Sequence, residues 1–243
     1  MVVSAHPISS KIGTDILKKG GNAADATVAV HFALAVVYPS AGNIGGGGFF
    51  VYRTNKGEHS SLDFREKAPL SSSWNMYLDS NNKVIDGLST DSHLAVGIPG
   101  SVDGMVNIHD KYGKLSWEEL IQPSIDLASN GFVLTKLEAD KLNNFNNGKG
   151  LINNNTEYYK LNYKEGDSLS LPNLAKTLIK IRDYKRSGFY SGEVALMLID
   201  QMKVNGGIIN QQDLDEYKSI WRKPIISTYK NFKVISMGPP SSG

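Results

Sequence analysis

Cysteine is absent from all 243 residues. Disulfide scaffolds, thiolate zinc sites, iron–sulfur clusters and cysteine nucleophiles are thereby excluded. An excess of one charge is missing as well: 26 Lys plus Arg stand against 24 Asp plus Glu, a net of +2, and the basic residues are scattered. A nucleic-acid binder concentrates its basic residues on one face, so no nucleic-acid partner is expected. Long hydrophobic runs are lacking too. The longest, Ala26 to Val37, has 12 residues and is interrupted by His31, against the ~20 that a spanning helix requires, and no membrane span is expected. The opening residues, Met1 to Pro7, contain neither a basic n-region nor an apolar h-region. They read as the start of a cytosolic chain or of one whose leader lies outside it.

What the sequence does hold is a 40% hydrophobic content ordered in helical and strand periods. Ile8, Ile12, Ile16 and Leu17 recur at helical spacing and Lys18-Lys19-Gly20-Gly21 supplies a basic last turn and a stop, so a helix is expected over roughly Ser9 to Lys19. Asn22 to Val37 reads as a second helix, capped by Asn22 with Asp25 in its first turn, and its small side chains mark it as buried. Phe49 to Arg53 and Glu58 to Phe64 flank Thr54-Asn55-Lys56-Gly57 as a hairpin. Further helices are expected at Ser101 to Lys111, Trp117 to Ser129, Lys136 to Phe145, Leu174 to Tyr184 and Glu193 to Val204, with another starting at Asn210. Two more strands are expected at Ile225 to Tyr229 and Phe232 to Met237. Seven of the thirteen positions from Asn143 to Asn155 are asparagine, a composition that favours turns over core, and Asn154-Asn155-Thr156 within reach of it reads as a chance glycosylation triplet. No solenoid repeat and no clean linker divides the chain, so one α+β or layered α/β body is expected.

The segments that could carry chemistry are few. The five histidines, His6, His31, His59, His93 and His109, never fall at the i, i+3 or i, i+4 spacing of a helical metal site; each reads as a surface or hydrogen-bonded core residue. Gly42 to Gly48 is glycine-rich, yet it lacks the closing Lys-Ser/Thr and the strand-to-helix order of a phosphate loop. Close backbone packing is the reading favoured there. Gly100-Ser101-Val102-Asp103-Gly104 is one position off a nucleophile elbow, and Ser101 is expected to be a helix N-cap. Asp63-Phe64-Arg65-Glu66-Lys67 packs four charges into five positions. Arg65 offers a fork that can hold a carboxylate through two parallel hydrogen bonds, or it forms a structural ion pair with Asp63 or Glu66. The residues themselves leave both readings open.

Taken in order, Lys19-Gly20-Gly21-Asn22-Ala23-Ala24-Asp25-Ala26, Pro39 to Phe49, Asp63-Phe64-Arg65-Glu66-Lys67-Ala68-Pro69, Gly97-Ile98-Pro99-Gly100-Ser101 and Pro239-Pro240-Ser241-Ser242-Gly243 resemble the γ-glutamyltranspeptidase, or glutathione hydrolase, family. Asp110-Lys111-Tyr112-Gly113, Ala128 to Phe132 and Asn205-Gly206-Gly207 continue the resemblance over essentially the whole chain. It implies an N-terminal nucleophile hydrolase αββα sandwich, two sheets between helical layers, of which this chain is the large-subunit portion and a single body. It implies a precursor that cuts itself once, exposing a threonine nucleophile on a small subunit that is the partner of this chain. The activity implied is γ-glutamyl transfer and hydrolysis, with glutathione or a related γ-glutamyl compound as substrate and no cofactor or metal. Arg65 stands at the family position that grips the donor α-carboxylate. The implied location is periplasmic or extracellular. The nucleophile lies beyond Gly243 in this reading, so the chain alone is expected to be inactive. Two alternatives are a glutaryl or cephalosporin acylase of the same superfamily and a noncatalytic truncated remnant.

Overall fold

The computed structural model describes residues 1–146 and 162–243. Most of the asparagine-rich run, with the Asn154-Asn155-Thr156 triplet, lies outside the described residues. The chain begins with α1 (Pro7–Lys18) and α2 (Ala23–Val37). Pro7 sits at the first helical position, where its missing N–H costs nothing, so α1 starts two residues ahead of the expected Ser9. His6 caps it, its Nδ1 accepting the Ile8 N–H at 3.2 Å. That leaves the ring proton on Nε2, which donates to Glu138 Oε1 at 2.6 Å.

α2 is the central helix, packed against α1 and, further along the chain, against α3 (Ser101–Tyr112) and α4 (Trp117–Asn130). Its alanines and valines let those neighbours approach closely, and ten of its side chains are buried. Asn22 and Asp25 form a reciprocal capping box. The same Asp25 carboxylate is fully buried and accepts the Lys114 and Leu115 amides at 2.9 and 3.4 Å, so one residue caps the start of α2 and ties down the α3–α4 turn. A dipole-complementing acid is legible in sequence; the long-range part of its role is not.

Between α2 and α3 runs an antiparallel sheet of β1 (Phe49–Arg53), β2 (His59–Asp63) and, from far along the chain, β5 (Ile220–Arg222), in the order β1-β2-β5. Ser61 faces Arg222, Leu62 faces Trp221 and Asp63 faces Ile220. The hairpin turn places Gly57 at φ +83°, a conformation that glycine adopts without strain. After α4, β3 (Phe132–Val133) pairs with β4 (Ser168–Leu169). α5 (Lys136–Asn146), α6 (Pro172–Tyr184), α7 (Ser187–Tyr190), α8 (Gly192–Val204) and α9 (Gln211–Glu216) supply the remaining helices, and β6 (Ile225–Tyr229) pairs with β7 (Phe232–Ser236) as a separate ribbon. The α+β class follows. The described sheets are one of three strands and two ribbons of two.

His31, on α2, is placed edge-on to the rings of Phe32 and Phe64 at 5.7 and 6.4 Å. Burial there pulls its imidazole from the ordinary 6.5 down to about 4, with the Asn43 backbone opposing the shift. Because the folded value lies below the unfolded one, the stability linked to neutral His31 is complete above pH 6.5 and is lost as pH falls through 4. His31→Gln is therefore expected to flatten the thermal-midpoint profile across that window. An unchanged slope would show that other groups control acid sensitivity there.

Candidate active site

The charged run that the sequence singles out leaves β2 at Asp63 and crosses the front of the glycine loop. Gly48 and Phe64 exchange backbone hydrogen bonds at 3.3 and 3.0 Å, and a Cβ on Gly47 would meet the Phe64 carbonyl, the Glu66 amide and the Arg65 Cα. None of Gly42, Gly45, Gly46, Gly47 and Gly48 is among the glycines with positive φ. At Gly42 and Gly47 a Cβ would meet backbone, at Gly46 and Gly48 it would meet the Asn43 side chain and the Phe64 ring, and Gly45 stands open; four of the five thus serve close packing, which is the packing reading and not that of an anion loop. Asn43 shapes the loop by accepting the Gly46 N–H on Oδ1 at 2.6 Å.

The loop also organises the start of α3. The Gly46 carbonyl accepts the amides of Gly100 and Ser101 at 2.7 and 2.9 Å, satisfying two of the donors that have no intrahelical partner at a helix start. The expectation that Ser101 is the N-cap is corrected accordingly. Gly100 holds that position with no side-chain cap bond, whereas Ser101 is the first helical residue, fully buried, its hydroxyl donating to Asn43 Oδ1 at 3.2 Å.

Arg65 is exposed and its guanidinium has no carboxylate partner among the described residues. Its Nη1 donates to the Pro240 carbonyl at 3.0 Å, which fixes the head group at the turn that follows β7. Asp63, the ion-pair partner that the sequence offered, belongs instead to Arg222, whose Nε and Nη2 both lie 2.9 Å from Asp63 Oδ2. The β2–β5 register places those two side chains together. Asp63 Oδ1 remains for the backbone, accepting the Arg65 N–H at 3.1 Å. Of the two open readings of Arg65, the structural ion pair is the one the geometry removes.

The carbonyl side of Arg65 is held as well. Tyr217, just past α9, donates its phenolic hydroxyl to the Arg65 carbonyl at 2.8 Å. Tyr217 is buried, and burial pushes its phenol well above the ordinary range, with Asp103, Asp63 and Glu66 adding to the shift; it stays a protonated donor. The segment that carries it hangs on Arg186, whose Nη2 donates to the Leu214, Asp215 and Tyr217 carbonyls at 2.9, 3.2 and 2.7 Å. Arg186 in turn pairs through Nε with the buried Asp103 at 2.9 Å. Tyr217, Arg222, Asp103 and Pro240 were not singled out as site residues from sequence. Only Pro240 carried a signal, as part of the closing motif.

The described residues contain no group of three or more His, Asp or Glu side chains placed to hold a metal ion. His6 and His109 are bonded, the latter through Nε2 to the Leu115 carbonyl at 2.9 Å. His31, His59 and His93 are half-buried, and each of them, like His109 at Nδ1, has one ring nitrogen without a hydrogen-bond partner among the described residues. No described helix is long and apolar enough to cross a membrane.

With that geometry in hand, comparisons with known proteins converge. The γ-glutamyltranspeptidase family model matches residues 9–243. A glutathione hydrolase proenzyme of Pseudomonas sp. (strain A14) is 47% identical over 252 aligned residues, spanning all of this chain and 43% of its own length. The chain thus covers less than half of that relative. The crystal structure of Helicobacter pylori γ-glutamyltranspeptidase superposes with a TM-score of 0.94 at 45% identity, covering 100% of this chain and 70% of that one. A cephalosporin acylase from Bacillus halodurans aligns with a TM-score of 0.83 over 96% of this chain and 45% of its own, at 24% identity, a likeness of fold alone. The fold is accordingly that of the N-terminal nucleophile hydrolases, and the chain belongs to the γ-glutamyltranspeptidase family.

Proposed function

We propose that this chain works as the donor-gripping portion of an enzyme that transfers and hydrolyses γ-glutamyl groups, with glutathione and related γ-glutamyl compounds as substrates. The observation that carries the reading is Arg65: an exposed residue, backbone-clamped on both sides, whose guanidinium has no carboxylate of its own among the described residues. A planar fork held in this way suits a bidentate contact with the α-carboxylate of a glutamyl donor. The chemistry proposed is a two-step acyl transfer. A threonine hydroxyl from the rest of the proenzyme attacks the γ-amide carbonyl, the released amine leaves with a proton, and the γ-glutamyl ester then passes to water or to an acceptor amine. A glutaryl-type acylase acts on donors without an α-carboxylate, and the unpaired Arg65 would have nothing to hold.

A second observation supports a partner segment. Along the β6–β7 ribbon, Ile226, Tyr229 and Phe232 are 51%, 64% and 71% exposed. A two-stranded ribbon is marginal by itself, and apolar residues gathered on it favour a covered surface. We assign the cover to the remainder of the proenzyme, and a periplasmic or extracellular location goes with this reading.

The test is turnover of γ-glutamyl-p-nitroanilide by this chain alone and after addition of the separately expressed remainder. Activity is expected only in the mixture, and only with donors that carry a free α-carboxylate. Equal turnover of glutaryl-p-nitroanilide would sink the γ-glutamyl reading. Ile226→Lys is expected to abolish reconstitution while leaving the far-ultraviolet circular dichroism of the chain unchanged; undiminished reconstitution would show that the ribbon is not the covered surface.

A further inference from the structure

Holding a guanidinium for an incoming carboxylate requires more than the arginine itself. A free arginine spends side-chain and backbone entropy when it is immobilised by a ligand, and a site that has already fixed the backbone avoids part of that cost. Arg65 lies in the segment between β2 and α3, where no ladder partner among the described residues fixes it. Its N–H is taken by Asp63 Oδ1 and its Cα is backed by Gly47. Its carbonyl is taken by one group only among the described residues, the hydroxyl of Tyr217.

From this arrangement we infer that Tyr217 is a positioning residue for donor binding, acting through the Arg65 carbonyl and never touching the donor. The inference rests on the reading of Arg65 as the carboxylate grip. Three features separate this hydroxyl from an ordinary buried tyrosine. Tyr217 is 2% exposed, so water does not replace the bond if it is removed. The phenol reaches Arg65 across 152 residues of sequence, from a segment whose own carbonyl is tied to Arg186. A Cβ on Gly100 would overlap both the Tyr217 hydroxyl and the Phe64 carbonyl, so the start of α3 leaves space for this one contact. The ring is further stacked parallel to Tyr190 at 5.9 Å and lies under the Lys67 ammonium at 5.1 Å. Its position is therefore set independently of the hydroxyl, and Tyr217→Phe keeps the packing while deleting the bond.

The experiment uses the complete proenzyme with Tyr217→Phe, Arg65→Ala and the double variant, assayed on γ-glutamyl-p-nitroanilide and on its α-carboxamide counterpart. Tyr217→Phe is expected to raise KM for the carboxylate donor about two- to tenfold, the range of one buried hydrogen bond, with kcat held. KM for the carboxamide donor is expected to stay as it was, and turnover of that donor reports that the variant has folded. In the Arg65→Ala background the second substitution is expected to change KM no further, since both act through one contact. An equal rise for both donors, or additive effects in the double variant, would leave Tyr217 as a structural residue and overturn the inference. A rise with Arg65→Ala but none with Tyr217→Phe would overturn it while leaving the Arg65 reading intact. An unchanged KM with Arg65→Ala would remove both.

Discussion

Replacing Arg65 by alanine in the complete proenzyme is expected to raise KM for a γ-glutamyl donor about ten- to a hundredfold, while autocleavage proceeds. The magnitude comes from the type of contact: a charge-assisted hydrogen-bond pair contributes about 1.5–3 kcal/mol, and each ~1.4 kcal/mol is a factor of ten in affinity. Three structural facts favour the upper part of that range. No described carboxylate competes for the guanidinium, Asp63 and Tyr217 already hold the residue's backbone, and the Pro240 carbonyl orients Nη1. A contact of the proposed kind would be made before and during the reaction, so KM should carry most of the loss and kcat little. Arg65→Lys should lie between the two, since an ammonium keeps the charge and loses the fork. Autocleavage is the internal control, because it reports folding without requiring donor binding. An unchanged KM would leave Arg65 as a residue that merely braces the Pro239–Pro240 turn.

How much of this was legible in the sequence depends on the range of the interactions that build each part. Helices with local caps were legible to within a residue or two. Asn22 with Asp25 and Asn210 with Asp213 form capping boxes, as their three-residue spacing allows, and the β1–β2 hairpin follows from its glycine-containing turn. β5 was not legible, for it has three residues and becomes a strand only by pairing with β2 some 160 positions earlier. The four-residue α7 and the two-residue β3 and β4 are too short for any periodicity to register. The site divides in the same way. Arg65 stood out by its motif and its resemblance, but the choice between carboxylate grip and ion pair depended on where Arg222 would fall. Local composition had Asp63 beside Arg65; sheet register gave it to a different arginine. Ser101 was misread for a related reason, since of the amides it would have capped, that of Asp103 donates to the Tyr190 hydroxyl 87 residues away at 3.3 Å and that of Gly104 to the Gly100 carbonyl.

The largest stability effect expected of a single substitution falls on Asp103, a residue with no local signal. Its carboxylate is 2% exposed and accepts from Arg186 Nε at 2.9 Å, from the Ser219 amide and hydroxyl at 2.7 Å each, and from Asn107 Nδ2 at 3.1 Å. Asp103→Ala would strand the half-buried amide of Ser219 and leave Arg186 facing Leu214, Asp215 and Tyr217 without its counter-ion. Removing one member of a buried pair costs about 3–5 kcal/mol. Arg186 keeps 30% of its side chain exposed, so water recovers part of its solvation and the lower end, about 3 kcal/mol, is expected. That is a large fraction of the ~5–15 kcal/mol of a typical domain and should appear as a clear fall in the urea midpoint, followed by the emission of Trp117 and Trp221. Asp103→Asn should cost less, because an amide oxygen still accepts while the charge is lost. A midpoint unchanged by alanine would mean that the segment from α9 to β5 is held by packing alone. The stacked Tyr190 and Tyr217 rings would then be its anchor, and Arg65 would owe its fixed carbonyl to those rings and not to the Asp103–Arg186 pair.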